Sequence, residues 1–190
     1  MSLHNPHIES ARTFIEGLPS ATASEYLDFL ERNRDRFEPT FPAKFLNVIY
    51  STPYWQQAID SCADDFSKQK MIRLIVRHRQ SKEWIGTINF AEFRPFPDNS
   101  CSVGFLCDKK YVGQGFIQES LKAVFHWVQQ ETKVRRIYAY HLPENQRSAK
   151  TLNSLGFETV GLIKGYAQLS DHWHDHMMTS LILENSNRPI

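Results

Sequence analysis

A β-rich run, two glycines and a helical stripe follow one another just past the middle of the chain. Ser100 to Cys107 reads SCSVGFLC, which predicts a strand, and Gly113 and Gly115 stand two positions apart shortly after it. Apolar residues then recur at the spacing i, i+4, i+7, i+8 and i+11, at Ile117, Leu121, Val124, Phe125 and Val128. This spacing predicts an α-helix that ends near Thr132. The order strand, turn, helix indicates a fold in which helices cover a sheet.

The two glycines indicate a turn that could bind an anion. Backbone N–H groups at the start of a helix lack intrahelical acceptors and lie at the positive end of the helix dipole, so a phosphate is favoured there. Gly113 and Gly115 would let a diphosphate approach the backbone, and Lys110 could add a charge. The spacing does not fit GxGxxG, which needs glycine at Gln118, and GxxxxGK[ST] is absent from the chain. Taken alone, the turn is also compatible with a plain helix entry.

The remaining periodicities predict a mixed α/β sheet. Met71 to His78 and Trp84 to Phe93 are β-rich runs around the polar RQSKE, the pattern of an antiparallel hairpin. Further strands are predicted at 9–17, 135–142, 159–167 and 174–183, the last two around the turn LSDHW. Further helices are predicted at 21–33, at 52–66, where Trp55, Ile59, Cys62 and Phe66 recur, and from Asn145, as a cap, to a stop at Gly156. Helices between strands, with antiparallel strands at the end, are typical of an α/β fold.

Length and composition favour a single domain that spans residues 1–190. Of the 190 residues 41% are hydrophobic, enough for one core. The 22 Lys and Arg nearly balance the 21 Asp and Glu, so we expect neither direct DNA binding nor attraction to an anionic membrane. The first ten residues lack a basic segment followed by an apolar run, and no run approaches bilayer length. Three cysteines without a CxxC spacing favour a reducing cytoplasm.

A second motif lies thirty residues beyond the glycines and makes the pattern specific. Asn145 and Ser148 open a helix that ends in Leu155-Gly156-Phe157. Together with Lys110-x-x-Gly113-x-Gly115, this segment resembles the GNAT superfamily of acetyl-CoA-dependent N-acetyltransferases. In that family Q/R-x-x-G-x-G/A binds the coenzyme A pyrophosphate, and here lysine replaces Gln or Arg. The resemblance implies a mixed, mostly antiparallel twisted sheet flanked by helices, with the coenzyme bound at a splayed strand pair.

Within the superfamily, the C-terminal half resembles the ribosomal-protein-alanine N-acetyltransferases of RimJ/RimL type. The features that carry the resemblance are Pro143, Asn145, Arg147-Ser148, Gly161, Tyr166 and Trp173-x-Asp175-His176. It implies that acetyl-CoA donates its acetyl group to the N-terminal Ala or Ser of a ribosomal protein, in the cytoplasm, with the assembling small subunit as one setting. Two alternatives stay open: a small-amine acetyltransferase, and a binding module that uses acetyl-CoA in ribosome assembly or regulation.

The resemblance also implies which residues contact the coenzyme. The pantetheine arm would lie along the strand 100–107, and backbone N–H groups near Phe105 and Leu106 would polarise the acetyl oxygen. The expected coenzyme contacts are Phe105, Leu106, Lys110, Val112, Gly113, Gln114, Gly115, Phe116 and Asn145.

Candidate acids and bases follow from the same resemblance. Ser148 could protonate the departing thiolate, Tyr166 is the rival acid, and Asn145 would contact the coenzyme, cap its helix, or do both. Many relatives have Glu five residues before the Asn, where this chain has Tyr140. Glu92, Asp98 or water are then the candidate bases, and an α-amine with a pKa near 7.8 is already partly neutral.

His172, His174 and His176 alternate along a predicted strand, a spacing that can bind zinc. The segment straddles a predicted turn, however, and the resembled family uses its Asp and His here structurally. We therefore expect no metal site. The aromatic stripes, including Trp55 and Trp127, are expected in the core.

Overall fold

An eight-stranded sheet with helices on both faces runs through the computed structural model, which describes residues 6–169 and 172–183. Its strands are β1 (His7–Glu9), β2 (Thr13–Gly17), β3 (Met71–His78), β4 (Trp84–Arg94), β5 (Ser100–Cys107), β6 (Arg136–His141), β7 (Glu158–Leu169) and β8 (His172–Ile182). The helices are α1 (Ala23–Arg32), α2 (Arg34–Phe37), α3 (Ala43–Ile49), α4 (Thr52–Asp60), α5 (Cys62–Ser67), α6 (Phe116–Glu131) and α7 (Gln146–Ser154). Within the described ranges, none of the helices has the length and apolar character needed to cross a bilayer.

The sheet is antiparallel except at one strand pair. The strand order is β1-β2-β3-β4-β5-β6-β8-β7, and β5 and β6 are the parallel neighbours. Their pairing joins Ser100–Ser102 to Arg136–Tyr138 and stops there, although β5 continues to Cys107. The predicted mixed, mostly antiparallel sheet is thus confirmed, and it contains an open strand pair.

Two hydrophobic clusters cover the two faces of the sheet. On one face, Leu121 and Val124 of α6 are fully buried against Ile88, Phe90 and Ile137, as the helical stripe predicted. On the other face, the N-terminal helices pack on the sheet, and Phe29 of α1 stacks on Trp84 at 5.2 Å between ring centroids. The N-terminal helices and α6 therefore lie on opposite sides of the open strand pair.

The N-terminal region departs most from the sequence expectations. The single helix predicted over 52–66 is wrong: α4 ends at Asp60 and α5 begins at Cys62. Ser61 stands at the break, where its hydroxyl bonds to the Ala58 carbonyl and the Asp65 carboxylate and so competes with the helical ladder. The strand predicted over 9–17 is two strands, because Ser10 and Thr13 close a turn between β1 and β2. Helices α2 and α3 were not predicted.

The other elements agree with the sequence. The helix predicted over 21–33 is α1, which begins with a capping box between Thr22 and Glu25. Helix α7 ends before Gly156, whose φ of +87° supplies the expected left-handed stop. The predicted turn LSDHW is shorter, since β7 runs to Leu169 and β8 starts at His172; its residues 170 and 171 lie outside the described residues.

A buried carboxylate ties the end of β5 to the N-terminal helices. Asp108, only 4% exposed, accepts hydrogen bonds from Arg32 Nε at 2.5 Å, from Asn33 Nδ2 at 3.1 Å and from the Lys110 N–H at 2.9 Å. The Lys109 N–H donates to Asn33 Oδ1 at 2.8 Å. This network fixes the point at which the chain leaves the sheet for the glycine turn.

Replacing Asp108 by Ala should lower the free energy of unfolding by about 2–3 kcal/mol, because it leaves Asn33 and Arg32 without their acceptor. Asp35→Ala is the matched control, since Asp35 is exposed and lies 3.8 Å from Lys109; it should change stability by less than about 0.5 kcal/mol. Urea unfolding measures the free energy of unfolding of each variant. Equal losses in the Asp108 and Asp35 variants would contradict the structural role of Asp108.

The same network predicts a pH dependence. Burial acts to raise the pKa of Asp108, but hydrogen bonds from Arg32, Lys110 and Asn33 outweigh it and lower that pKa. The contribution of Asp108 to stability is therefore complete above the unfolded pKa of about 3.9 and is lost as the pH falls through the lower folded pKa.

Candidate active site

The open end of the β5–β6 pair forms a cleft. Phe105 and Leu106 of β5 pair with Ile88 and Thr87 of β4 on one side, while the other side of β5 has no paired strand beyond Ser102. Neighbouring residues of a strand direct their N–H groups to opposite sides, so one of the two N–H groups of Phe105 and Leu106 faces the cleft. The cleft thus contains a backbone donor of the kind that the sequence predicted there.

The glycine turn presents a row of unpaired backbone donors beside this cleft. Gly113 and Gly115 both have φ of +78°, a conformation that other residues adopt with strain. Within the segment 113–118, the N–H groups of Gly113, Gly115, Phe116, Ile117 and Gln118 make no hydrogen bond to another described residue. A Cβ added at Gly113 would meet no atom within 4 Å, so the loop borders open space. The arrangement fits an anion such as a diphosphate.

The flanking residues of the turn differ in exposure and contact. Val112 is half-buried, whereas Gln114 is exposed and its side-chain amide donates to the Lys110 carbonyl at 2.7 Å. Phe116 is buried, with its ring 5.4 Å from that of Tyr111. The Phe116 side chain therefore anchors the start of α6, and its N–H stays available.

Lys110 directs its ammonium to Glu83. The distances from Lys110 Nζ to the two Glu83 oxygens are 2.7 and 2.8 Å, and the Tyr111 hydroxyl also bonds to Glu83. Hydrogen bonds from Lys110 first and Tyr111 second lower the pKa of Glu83 to about 2. The Lys110 ammonium, which we expected to add a charge to the anion site, is thus already paired with the Glu83 carboxylate.

A different cation lies at the turn, and the sequence analysis missed it. The Arg12 guanidinium lies 4.3 Å from the centre of the Phe116 ring, and its Nη1 donates to the Gln114 carbonyl at 3.1 Å. Arg12 comes from the turn between β1 and β2, 102 residues before Gln114. Nothing in its local sequence marks it, because the contact depends on how the sheet brings β1 and β2 beside α6.

Asn145 and Ser148 lie together at the start of α7. Asn145 Oδ1 accepts a hydrogen bond from the Ser148 N–H at 3.1 Å, so Asn145 caps the helix as predicted. Both residues are half-buried, and in the described part of the chain the Ser148 hydroxyl has no hydrogen-bond partner. That hydroxyl is therefore free to bond to a ligand.

Tyr166 lies on the face of the sheet opposite α7. Leu152 of α7 packs with Ile137 and Ala139 of β6, so Tyr140, which alternates with them, points to the other face. The Tyr166 ring stacks on Tyr140 with 4.6 Å between centroids. Burial raises the pKa of Tyr166, and the Glu92 and Tyr140 charges raise it further, so its phenol stays protonated at physiological pH.

The two candidate carboxylate bases are placed differently. Glu92 stands with φ of +52° at an irregularity of β4, where the register with β5 shifts between Ala91 and Arg94. Burial is the main cause that raises the pKa of Tyr140 and of Tyr166, and the negative charge of Glu92 is the second. Asp98 lies in the exposed turn after β4. Of the two, Glu92 is the one near the aromatic pair.

The histidines of β8 do not share one environment. His176 is buried, with its ring 5.0 Å from that of Tyr166, while His172 is exposed. Burial lowers the pKa of His176, and charge on His174 and His141 lowers it further. In the part of the chain that the structure describes, no three His, Cys, Asp or Glu side chains are grouped as a metal would require.

Known proteins share both the sequence pattern and the fold. A model of the acetyltransferase (GNAT) domain family matches residues 22–158. The ribosomal protein uS5-alanine N-acetyltransferase of Escherichia coli (strain K12) is 30% identical over 155 residues, which is 81% of this chain and 79% of that protein. The crystal structure of a ribosomal-protein-S5-alanine acetyltransferase from Vibrio fischeri has a TM-score of 0.85 at 23% identity and covers 96% of this chain and 100% of its own. RimL, a ribosomal L7/L12 α-N-protein acetyltransferase solved with coenzyme A, has a TM-score of 0.83 at 17% identity, with coverage of 95% and 100%.

The chain belongs to the GNAT family of acetyltransferases. Among the GNAT enzymes, its relatives include enzymes named for an alanine or a serine of a ribosomal protein. The family resemblance inferred from Gly113, Gly115, Asn145 and Ser148 is thus confirmed, whereas the roles of the individual residues stay predictions.

Replacing Gly115 by Val should abolish the stabilisation of the protein by coenzyme A, because a branched side chain at φ +78° strains the turn and enters the space beside its N–H groups. Coenzyme A at a hundredfold over its Kd should stabilise the unchanged protein by about 2.7 kcal/mol, which a thermal shift detects.

Gly165→Val is the matched control, since Gly165 also has a positive φ, +55°, with no atom within 4 Å of an added Cβ, but lies on β7. It should keep the full shift with coenzyme A. A Gly115 variant that is stabilised as much as the Gly165 variant would contradict the assignment of the glycine turn.

Proposed function

We propose that this protein transfers the acetyl group of acetyl-CoA to the N-terminal α-amine of a ribosomal protein that begins with Ala or Ser. The observation that carries the proposal is the open end of β5 directly beside the unpaired N–H groups of the glycine turn. The similarity to an enzyme named for the alanine of ribosomal protein uS5 supports the choice of acceptor. We place the reaction in the cytoplasm, on free protein or on the assembling small subunit.

The residues present fit acetyl-CoA. The N–H groups of Gly113, Gly115 and Phe116 would bind the diphosphate, with Val112 and Gln114 beside them in the turn. The unpaired side of residues 103–107 would bond to the amides of the pantetheine arm as a neighbouring strand does. Asn145 caps α7 and follows closely after β6, the strand on the other side of the open pair. We infer no metal for this chemistry, because a thioester is already activated.

The transfer makes one C–N bond and breaks one C–S bond. The neutral amine attacks the acetyl carbon, and the cleft-facing N–H of Phe105 or Leu106 stabilises the oxygen as it gains negative charge. The amine proton leaves to a base or to water as the C–S bond breaks. Ser148, whose hydroxyl has no other partner in the described structure, donates its proton to the departing sulfur and regains a proton from water.

Tyr166 is better suited to the acceptor than to the sulfur. It lies in the stacked pair with Tyr140 on the face opposite α7, and its raised pKa makes it a weaker proton donor than an ordinary tyrosine. We assign this pair, with Glu92 at the irregularity of β4, to the surface that positions the amine. Glu92 is the candidate base there, and Lys110 serves the site through its pair with Glu83.

Replacing Ser148 by Ala should lower kcat by about 10²-fold, because the thiolate then leaves without a proton donor. The Kd for coenzyme A should stay within about threefold, since the helix cap uses the Ser148 N–H rather than its hydroxyl. Ser154→Ala, at the other end of α7, is the control; the Ser154 hydroxyl bonds only locally, to the Thr151 carbonyl. A Ser148 variant with the kcat of the Ser154 variant would return Ser148 to a structural role.

Peptides that begin with Ala or Ser should be acetylated on their first residue and not on internal lysines. An α-amine with a pKa near 7.8 is neutral about 400-fold more often than a lysine with a pKa near 10.4, a difference of about 3.5 kcal/mol. Mass spectrometry locates the acetyl group, and peptides with a blocked N-terminus but intact lysines serve as the control. Acetyl-lysine as the main product, or turnover confined to free small amines, would overturn the choice of acceptor.

A further inference from the structure

Arg12 is held firmly at the glycine turn by a carboxylate of α6. Its Nε bonds to Glu119 Oε2 at 2.7 Å, and its own backbone N–H bonds to Glu119 Oε1, also at 2.7 Å. Ser10 Oγ adds a bond to Glu119 Oε1 at 2.6 Å. With the guanidinium above the Phe116 ring, these contacts fix both the position and the plane of the Arg12 side chain.

The contact between Arg12 and the Gln114 carbonyl determines which way the next N–H points. Arg12 Nη1 donates to Gln114 O at 3.1 Å. In a trans peptide unit the C=O and the N–H point in opposite directions. Because the carbonyl of the Gln114–Gly115 unit faces Arg12, the Gly115 N–H is directed to the opposite side of that unit.

The turn needs such a restraint from outside. Glycine has more backbone freedom than any other residue, and Gly115 forms one end of the Gln114–Gly115 peptide unit. The Gln114–Gly115 unit can rotate, through changes in ψ of Gln114 and φ of Gly115, so that its carbonyl rather than its N–H faces an incoming phosphate, which would repel the anion. Lys110 does not counter this rotation, since its ammonium is bound to Glu83.

We propose that Arg12 is a positioning residue for the coenzyme: it holds the Gln114 carbonyl away from the diphosphate so that the Gly115 N–H donates to it, and Glu119 holds Arg12 in place. This inference rests on the proposed coenzyme site. It assigns a function to the β1–β2 turn, a part of the chain that lies outside the residues matched by the family.

Replacing Arg12 by Ala tests the proposal. The Kd for coenzyme A, from calorimetry, and the KM for acetyl-CoA should rise about tenfold or more, while kcat at saturating acetyl-CoA stays within about threefold. Arg12→Lys should recover part of the affinity, since an ammonium can donate one bond to the carbonyl. Glu119→Gln, which removes the charge that holds Arg12, should weaken coenzyme binding in the same direction but less.

Arg79→Ala is the matched control for the local structure. Arg79 also joins this turn, through Glu9 at 2.9 Å and the Ser10 carbonyl at 3.2 Å, but it makes no contact with the glycine turn among the described residues. It should leave the Kd for coenzyme A unchanged. Equal loss of affinity in the Arg12 and Arg79 variants would show a general need for the β1–β2 turn and would overturn the proposal.

A shortened donor separates positioning of the N–H from a structural effect. Acetyl-pantetheine lacks the diphosphate, so its kcat/KM should depend little on Arg12. The fold loss in kcat/KM that Arg12→Ala causes should be at least five times smaller with this donor than with acetyl-CoA. The same fold loss with both donors would overturn the role of Arg12. Coenzyme A binding is measured without an acceptor, so failure of the unchanged protein to acetylate peptides would contradict the proposed acceptor alone. Failure of that protein to bind coenzyme A would overturn the coenzyme site and the role of Arg12 together.

Discussion

The early end of the β5–β6 pairing is the constraint on which the site depends. Three residue pairs join the two strands at Ser100–Ser102, and beyond them one side of β5 has backbone groups without a strand partner. An extended ligand that supplies alternating amide groups could bond to them as a neighbouring strand does. On its other side, β5 pairs with β4 from Ser102 to Cys107, so the sheet stays continuous at the cleft.

The two glycines of the turn allow many backbone conformations. Contacts from the N-terminal part of the chain restrain the turn at two points. Asp108, just before the turn, is bound by Arg32 and Asn33, while Gln114 within it is bound by Arg12. The partners are 76, 75 and 102 residues away in sequence, respectively. The residues that carry the family motif and the residues that restrain it therefore come from different parts of the chain, so substitutions near the N-terminus can alter the shape of the turn.

Because some contacts join residues far apart in sequence, the sequence predicted the local elements but not the contacts between them. The stripe of α6, the stop at Gly156 and the cap at Asn145 are local signals, and each predicted its element correctly. Helices α2 and α3 are short, at 4 and 7 residues, and are held by packing rather than by a periodic stripe. The contact of Arg12 with Gln114 and the pairing of Lys110 with Glu83 depend on tertiary proximity, so a rule based on sequence spacing could find neither contact.

The two sides of the candidate active site differ in charge: the glycine turn suits an anion, whereas the face with Tyr140 and Tyr166 is mostly neutral. Unpaired N–H groups and the start of α6 make the glycine turn suitable for a highly charged donor. On the acceptor face, by contrast, Tyr140 and Tyr166 stay neutral, and burial keeps His176 mostly uncharged. Glu92 is exposed, so water screens its attraction for an ammonium. A lysine ammonium moved against this surface would lose hydration with little return, whereas a partly neutral α-amine loses less. In the proposed reaction, this face would thus favour an α-amine over a lysine through the cost of removing each from water, without a strong base.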